Sequence, residues 1–162
     1  MGGLVSKETY VLARQDSAFQ ALSQRFYSIV FLAKPHRGPD SAQQRSNLVH
    51  ALLPHGSKSY VGDLERGIGA LQSINDESRH YSDSLQLRSF YETLKTTVGM
   101  NSVLLVGQAT ATLGYQSEKI ALMNASHRNI CKFETPWDPN FIIVRNALLS
   151  YVDNITERLM VA

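Results

Sequence analysis

Three polar points fall where ends of the predicted strands would gather and could move a proton or hold charge: the run Pro35-His36-Arg37-Gly38, the acid Glu92, and His127. An imidazole titrates near neutrality and a carboxylate accepts its N–H. A histidine and an acid held together therefore make a general base and the group that orients it. A nucleophile to complete such a set is harder to find. No G-x-S-x-G occurs in the sequence, and Ser126, beside His127 along the chain, is not placed as a triad requires. Cys131 stands four residues after His127, a spacing that would bring both to one helix face. Two ligands do not make a zinc site, however, and a lone cysteine beside Ile130 reads as a small core residue. No metal and no cofactor are expected.

Each residue also has a plainer reading. Glu92 would serve as a solvated carboxylate at a strand end, leaving Asp76 and Glu77 as fallback acids, and His127 would cap a helix entering Cys131 and Phe133. His36 and Arg37 fit a turn held by side-chain to backbone hydrogen bonds at least as well as a substrate-binding edge.

The elements that must position these residues follow from hydrophobic spacing. Residues 2–15 place Leu4, Val5, Val11 and Leu12 at helical intervals, with Lys7, Glu8 and Arg14 for the wet face; Gly2 and Gly3 weaken the first turn. A short helix over about Ser17–Arg25 leads into Ser28–Ala33, an apolar run closed by Pro35 and Gly38 that predicts a central strand buried on both faces. Asp40 and Gln43 form a capping box for a helix across Ala42–Leu53, which Pro54, His55 and Gly56 stop, and residues 60–75 predict another helix. Leu85–Tyr91 and Ser102–Gly107 predict a second and a third strand. Asp138 caps a final helix that starts on Pro139 and offers Ile142, Val144, Ala147, Leu148, Val152 and Ile155 as its apolar face. This alternation argues for one α/β domain with a parallel sheet and crossover helices. Ligands of such sheets bind beyond the carboxyl ends of the strands, where His36, Glu92 and His127 fall.

Composition narrows the classes. With 43% hydrophobic and 19% charged residues the chain reads as an ordinary globular domain, and a net charge of +2 with no block of Lys or Arg argues against a nucleic-acid partner. The single cysteine excludes an internal disulfide framework. No run approaches the ~20 apolar residues of a membrane span and no secretory apolar region opens the chain, so no transmembrane segment and a cytoplasmic location are expected.

Several segments also resemble a known family. Met1-Gly2-Gly3-Leu4-Val5 is similar to the continuation of a G-H-S-M-G-G-L-V elbow, and FLAKPHRG at Phe31–Gly38 to F-L-G-T-P-H-R-G. SFYETL at Ser89–Leu94, TATLGYQSE at Thr110–Glu118 and LMNASHRNICKF at Leu122–Phe133 follow in the same order. Together they resemble the fungal lipase-like α/β-hydrolases related to SERAC-type and GPI-inositol-deacylase-type serine esterases. The resemblance implies that residues 1–162 are the C-terminal part of an α/β-hydrolase fold, about three parallel strands with flanking helices. The N-terminal strands and the nucleophile elbow would be missing, the chain beginning one residue after the serine. It implies Glu92 as triad acid and His127 as base. Met1 would occupy the position whose backbone N–H helps to form the oxyanion hole, with a free amino group in this chain in place of that amide. Ala33-Lys34 departs from the family's Gly-Thr, so either Lys34 points to solvent or the pocket is altered. The activity implied is hydrolysis of carboxylic esters, lipid esters included, by the complete domain, with this chain inactive alone and its first strand left open to aggregation or to a separate N-terminal hydrolase half. The alternative is a non-catalytic interaction module of a fungal protein carrying signalling or repeat domains.

Overall fold

The computed structural model describes residues 2–36, 73–98 and 100–161. The expected helix at Ala42–Leu53 and most of the one at 60–75 lie outside these residues, as do Met1 and Arg37.

Three parallel strands form the main sheet: β1 (Ser28–Leu32), β2 (Gln86–Glu92) and β5 (Glu118–Met123), in the order β1-β2-β5. Ser28 pairs with Gln86 and Leu32 with Phe90, while Leu87 pairs with Glu118 and Glu92 with Met123. All three strands therefore end at one edge of the sheet.

Alternation along the strands sorts the core into two faces. Phe31 and Leu87 pack with Tyr10, Leu85 and Leu113 on the side of helix α1 (Gly2–Gln15). Val30, Leu32 and the fully buried Phe90 pack with Val106, Met123 and Ile130 on the other side, beneath Val144 and Ala147 of the C-terminal helix. That helix, α5, spans Pro139–Val161, and the Asn140 N–H donates to Asp138 Oδ1 at 2.8 Å, so its cap is the expected one. Between them lie α2 (Gln20–Ser23), the helical stretch α3 (73–80) and α4 (Gln108–Ala111). The expected helix over Ser17–Arg25 is shorter: a 3-10 turn at Ser17–Phe19, capped by Asp16, precedes α2.

The strand expectations need two corrections. Among the described residues β1 pairs with β2 alone and is mostly half-buried, so β2 and not β1 is the central strand. Ser102–Gly107 is not a strand of the parallel sheet. Its start belongs to β4 (Asn101–Val103), which pairs antiparallel with β3 (Thr96–Val98), and Leu105 and Val106 then leave strand geometry to aim their amides at Glu92. The third parallel strand is Glu118–Met123, whose apolar run, Ile120–Met123, is too short by itself to tell a strand from a helix.

Both long helices are turned relative to expectation. In α1 the buried residues are Lys7, Tyr10, Val11 and Ala13, whereas Val5 and Leu12 are 64% and 51% exposed. Polar partners on the inner side explain this: Tyr10 OH reaches the Tyr81 carbonyl at 3.0 Å and Lys7 finds His36 and Asn75. In α5 the buried stripe is Val144, Ala147 and Tyr151, at intervals of three and four residues; Leu148, Val152 and Ile155 are exposed. No helix among the described residues is long and apolar enough to cross a membrane.

Candidate active site

Glu92 is the last residue of β2 and is completely buried. Its carboxylate meets three donors. Oε1 accepts the backbone N–H groups of Leu105 at 2.6 Å and Val106 at 2.8 Å, and Oε2 accepts from His127 Nδ1 at 3.0 Å. Burying a carboxylate is tolerable only with such partners. The Val106 side chain, itself fully buried, pins the loop that supplies two of them.

His127 arrives from the neighbouring strand. Beyond the β2–β5 ladder the two chain ends stay stitched together: Thr93 donates its N–H and its hydroxyl to the Met123 carbonyl, at 3.2 and 3.0 Å, and the Leu94 N–H donates to the Ala125 carbonyl at 3.2 Å. Tight turns follow, with the Ala125 N–H on the Met123 carbonyl and the Asn129 N–H on the Ser126 carbonyl. The His127 N–H donates to Oγ1 of buried Thr96 at 3.2 Å, which ties it to β3 as well. With Nδ1 donating to the carboxylate, the ring's lone pair lies on Nε2, and the His127 side chain is 24% exposed. Nε2 has no hydrogen-bond partner among the described residues. A buried acid, an imidazole fixed in one tautomer and a free basic nitrogen are the acid and base of a general-base device.

The other candidates separate. Asp76 and Glu77 are exposed on α3 and take no part. Cys131 is exposed, not a core residue: residues 127–131 form turns instead of a helix, and Ile130 takes the buried position. Among the described residues no group of three or more His, Cys, Asp or Glu side chains is placed to hold a metal.

His36 stands at the same carboxyl edge, after β1, but only 2% exposed and therefore not as an open substrate edge. Its N–H donates to the Thr110 carbonyl at 2.8 Å, and its ring meets Phe31 edge-on at 4.5 Å between centroids. Its Nδ1 lies 2.8 Å from Lys7 Nζ and 3.2 Å from Lys34 Nζ. Lys7 also donates to Asn75 Oδ1 at 2.5 Å, and the Asn75 amide donates to the His36 carbonyl. Lys34 does not simply point to solvent. Its chain folds across the first turn of α1, where a Cβ on Gly3 would stand 2.8 Å from Lys34 Cε. Burial, then the neighbouring Lys34 charge, pushes Lys7 down to about 6, and burial lowers Lys34 to about 8. Burial, with Lys7 and Lys34 adding to it, holds the His36 imidazole far below its ordinary range, so it is neutral.

Sequence reasoning did not identify Lys7, Asn75, Thr96 or the amides of Leu105 and Val106 as site residues. Lys7 had a signal: it falls three residues after Leu4 and four before Val11, within the apolar stripe. The amides had none, because backbone donors leave no mark in a side-chain pattern. Compared with models of known families, with curated proteins and with solved structures, the chain matches none.

Proposed function

We propose that this chain carries the acid and the base of a serine-type ester hydrolase built on an α/β-hydrolase fold, of the fungal lipase-like kind its motifs resemble, acting on carboxylic esters including lipid esters. The observation supporting this reading is the hydrogen bond of 3.0 Å between His127 Nδ1 and buried Glu92. Two residues 35 positions apart meet at the carboxyl ends of adjacent parallel strands, in the order acid then histidine that this fold uses.

In the reaction His127 Nε2 takes the proton of a serine hydroxyl as that oxygen attacks the ester carbonyl, then returns the proton to the departing alcohol. Glu92 stabilises the imidazolium between these steps and is a positioning residue, itself anchored by Leu105 and Val106. The sequence holds no G-x-S-x-G, so in this reading the serine is supplied by an elbow joined to the chain. Turnover by this chain alone stays at the uncatalysed background. Met1, next to that serine by the resemblance, would provide an oxyanion-hole amide only as an internal residue.

The reading is tested by joining the chain to an upstream strand and G-x-S elbow and following p-nitrophenyl ester hydrolysis. His127→Ala should cost on the order of 10⁶-fold in kcat and Glu92→Gln about 10⁴-fold. Equal rates with and without His127 would sink it. The missing serine also favours a second reading, a non-catalytic module presenting this edge as an interaction surface; full binding of a partner by His127→Ala, with no turnover in the joined protein, would select it.

A further inference from the structure

We propose that Lys34, Lys7 and His36 form an oxyanion-binding site at the carboxyl edge of the sheet beside β1, for a phosphate or carboxylate group. Donors and acceptors do not balance in this cluster. An imidazole nitrogen has one lone pair, yet both lysine Nζ atoms converge on His36 Nδ1, at 2.8 and 3.2 Å. Their other acceptors are Asn75 Oδ1 for Lys7 and, at 3.5 Å, the Pro35 carbonyl for Lys34. At pH 7 Lys34 brings three N–H bonds as an ammonium and neutral Lys7 brings two N–H bonds and one lone pair, so five lysine N–H bonds meet four acceptors, the Lys7 lone pair included. With Nδ1 accepting, the ring proton sits on Nε2, which is buried and has no hydrogen-bond partner among the described residues. Among the described residues the cluster thus holds more donors than acceptors, and the chemistry that matches it is an anion with several acceptor oxygens.

The surroundings fit that reading. The acid acting on Lys7 through space is Glu118, and its oxygens are already engaged by the N–H groups of Leu113 at 3.1 Å and Gly114 at 2.9 Å. The cluster is also held in place. Asn75 bridges Lys7 and the His36 carbonyl, Thr110 fixes the His36 amide, and Phe31 supports the ring. Lys34 is the partly exposed member, and Lys7 and His36 are buried behind it, so an anion would approach along Lys34. Burial lowers the proton affinity of both lysines and Glu118 offsets only part of this at Lys7, so a bound anion would raise it.

The site does not rest on the ester-hydrolase reading, because binding is read without turnover. The test is thermal unfolding of the full chain at pH 7 in inorganic phosphate, in acetate and in chloride, all at one ionic strength, with the His36 Nε2–H resonance followed by NMR in parallel. We expect a saturable rise in Tm above chloride that is lost by at least tenfold in apparent affinity in Lys34→Gln and kept within about threefold in Lys34→Arg, together with a shift of the His36 resonance. Tighter binding of phosphate assigns a phosphate-bearing ligand, and tighter binding of acetate a carboxylate. No saturable response beyond chloride would overturn the site. So would an equal response in Lys34→Gln, or a His36 resonance that does not move at saturation.

Discussion

Replacing Lys7 by Met exchanges a buried amine for an apolar chain of similar length, and its effect should depend on pH in a way fixed by the surroundings of Lys7. In the folded chain Lys7 is lowered to about 6 from 10.5, while the unfolded chain keeps the ordinary value. Between these values the unfolded state holds a proton that the folded state has released, so raising the pH favours folding. The destabilising contribution is complete below pH 6, shrinks by up to about 1.4 kcal/mol per pH unit above it, and is gone beyond 10.5. From pH 6.5 to 8.0 the wild-type chain should therefore gain about 2 kcal/mol from this residue, before Lys34, lowered to about 8, adds its own share. Lys7→Met should lack the gain, while losing the contacts to His36 and Asn75 equally at both pH values. The assay is urea unfolding of both proteins at pH 6.5 and 8.0. The wild-type midpoint should move up by about 1 M relative to the variant for a slope near 2 kcal/mol/M. Stability curves that run parallel across this window would mean that Lys7 stays protonated in the fold, and the account of the buried cluster would fail.

Glu92→Ala leaves the Leu105 and Val106 amides and the His127 ring without an acceptor and should cost about 3 kcal/mol or more in urea unfolding, whereas Glu92→Gln, whose carbonyl can still take the two amides, should cost less. Equal losses would show that the amides do not depend on Oε1. Ala33 has a φ of 43°, a backbone conformation that favours glycine, so Ala33→Gly should stay within about 1 kcal/mol of wild type as relief of strain offsets one lost buried methyl. Ala33→Val, by contrast, should lose about 2 kcal/mol or more in thermal unfolding. Asp138→Ala should lose about 1 kcal/mol through the N-cap of α5, measured in the same way.

How much could be read beforehand follows from how locally each feature is encoded. β1, β2 and the capped start of α5 are written in short runs, Ile29-Val30-Phe31, Leu87 to Phe90 and Asp138-Pro139, and they appear within a residue or so of their expected ends. β5 is not, because its apolar run is only the four residues Ile120–Met123, too short to separate a strand from a helix by pattern. Glu92 and His127 were legible as an ordered acid and base. Their contact depends on β5 pairing with β2 and on the Thr93 and Leu94 stitches, which are long-range backbone facts.

The buried lysine cluster shows the opposite case, where features that look like faults in isolation explain one another. Gly3 weakens a helix start, Lys34 puts charge near the sheet edge, Ala33 takes a glycine's conformation and Lys7 interrupts an apolar stripe. In the fold the absent Cβ of Gly3 is what lets the Lys34 chain lie across the first turn of α1. The left-handed backbone of Ala33 occurs where the chain leaves β1 for Lys34 and His36. Lys7 then turns inward because His36 Nδ1 and Asn75 Oδ1 await it there, and α1 rotates with it, leaving Val5 and Leu12 outside. The rotation of α1, the packing of Lys34 and the surplus of donors around His36 are thus one arrangement, and a periodicity that assigns every lysine to the wet face could not have found it.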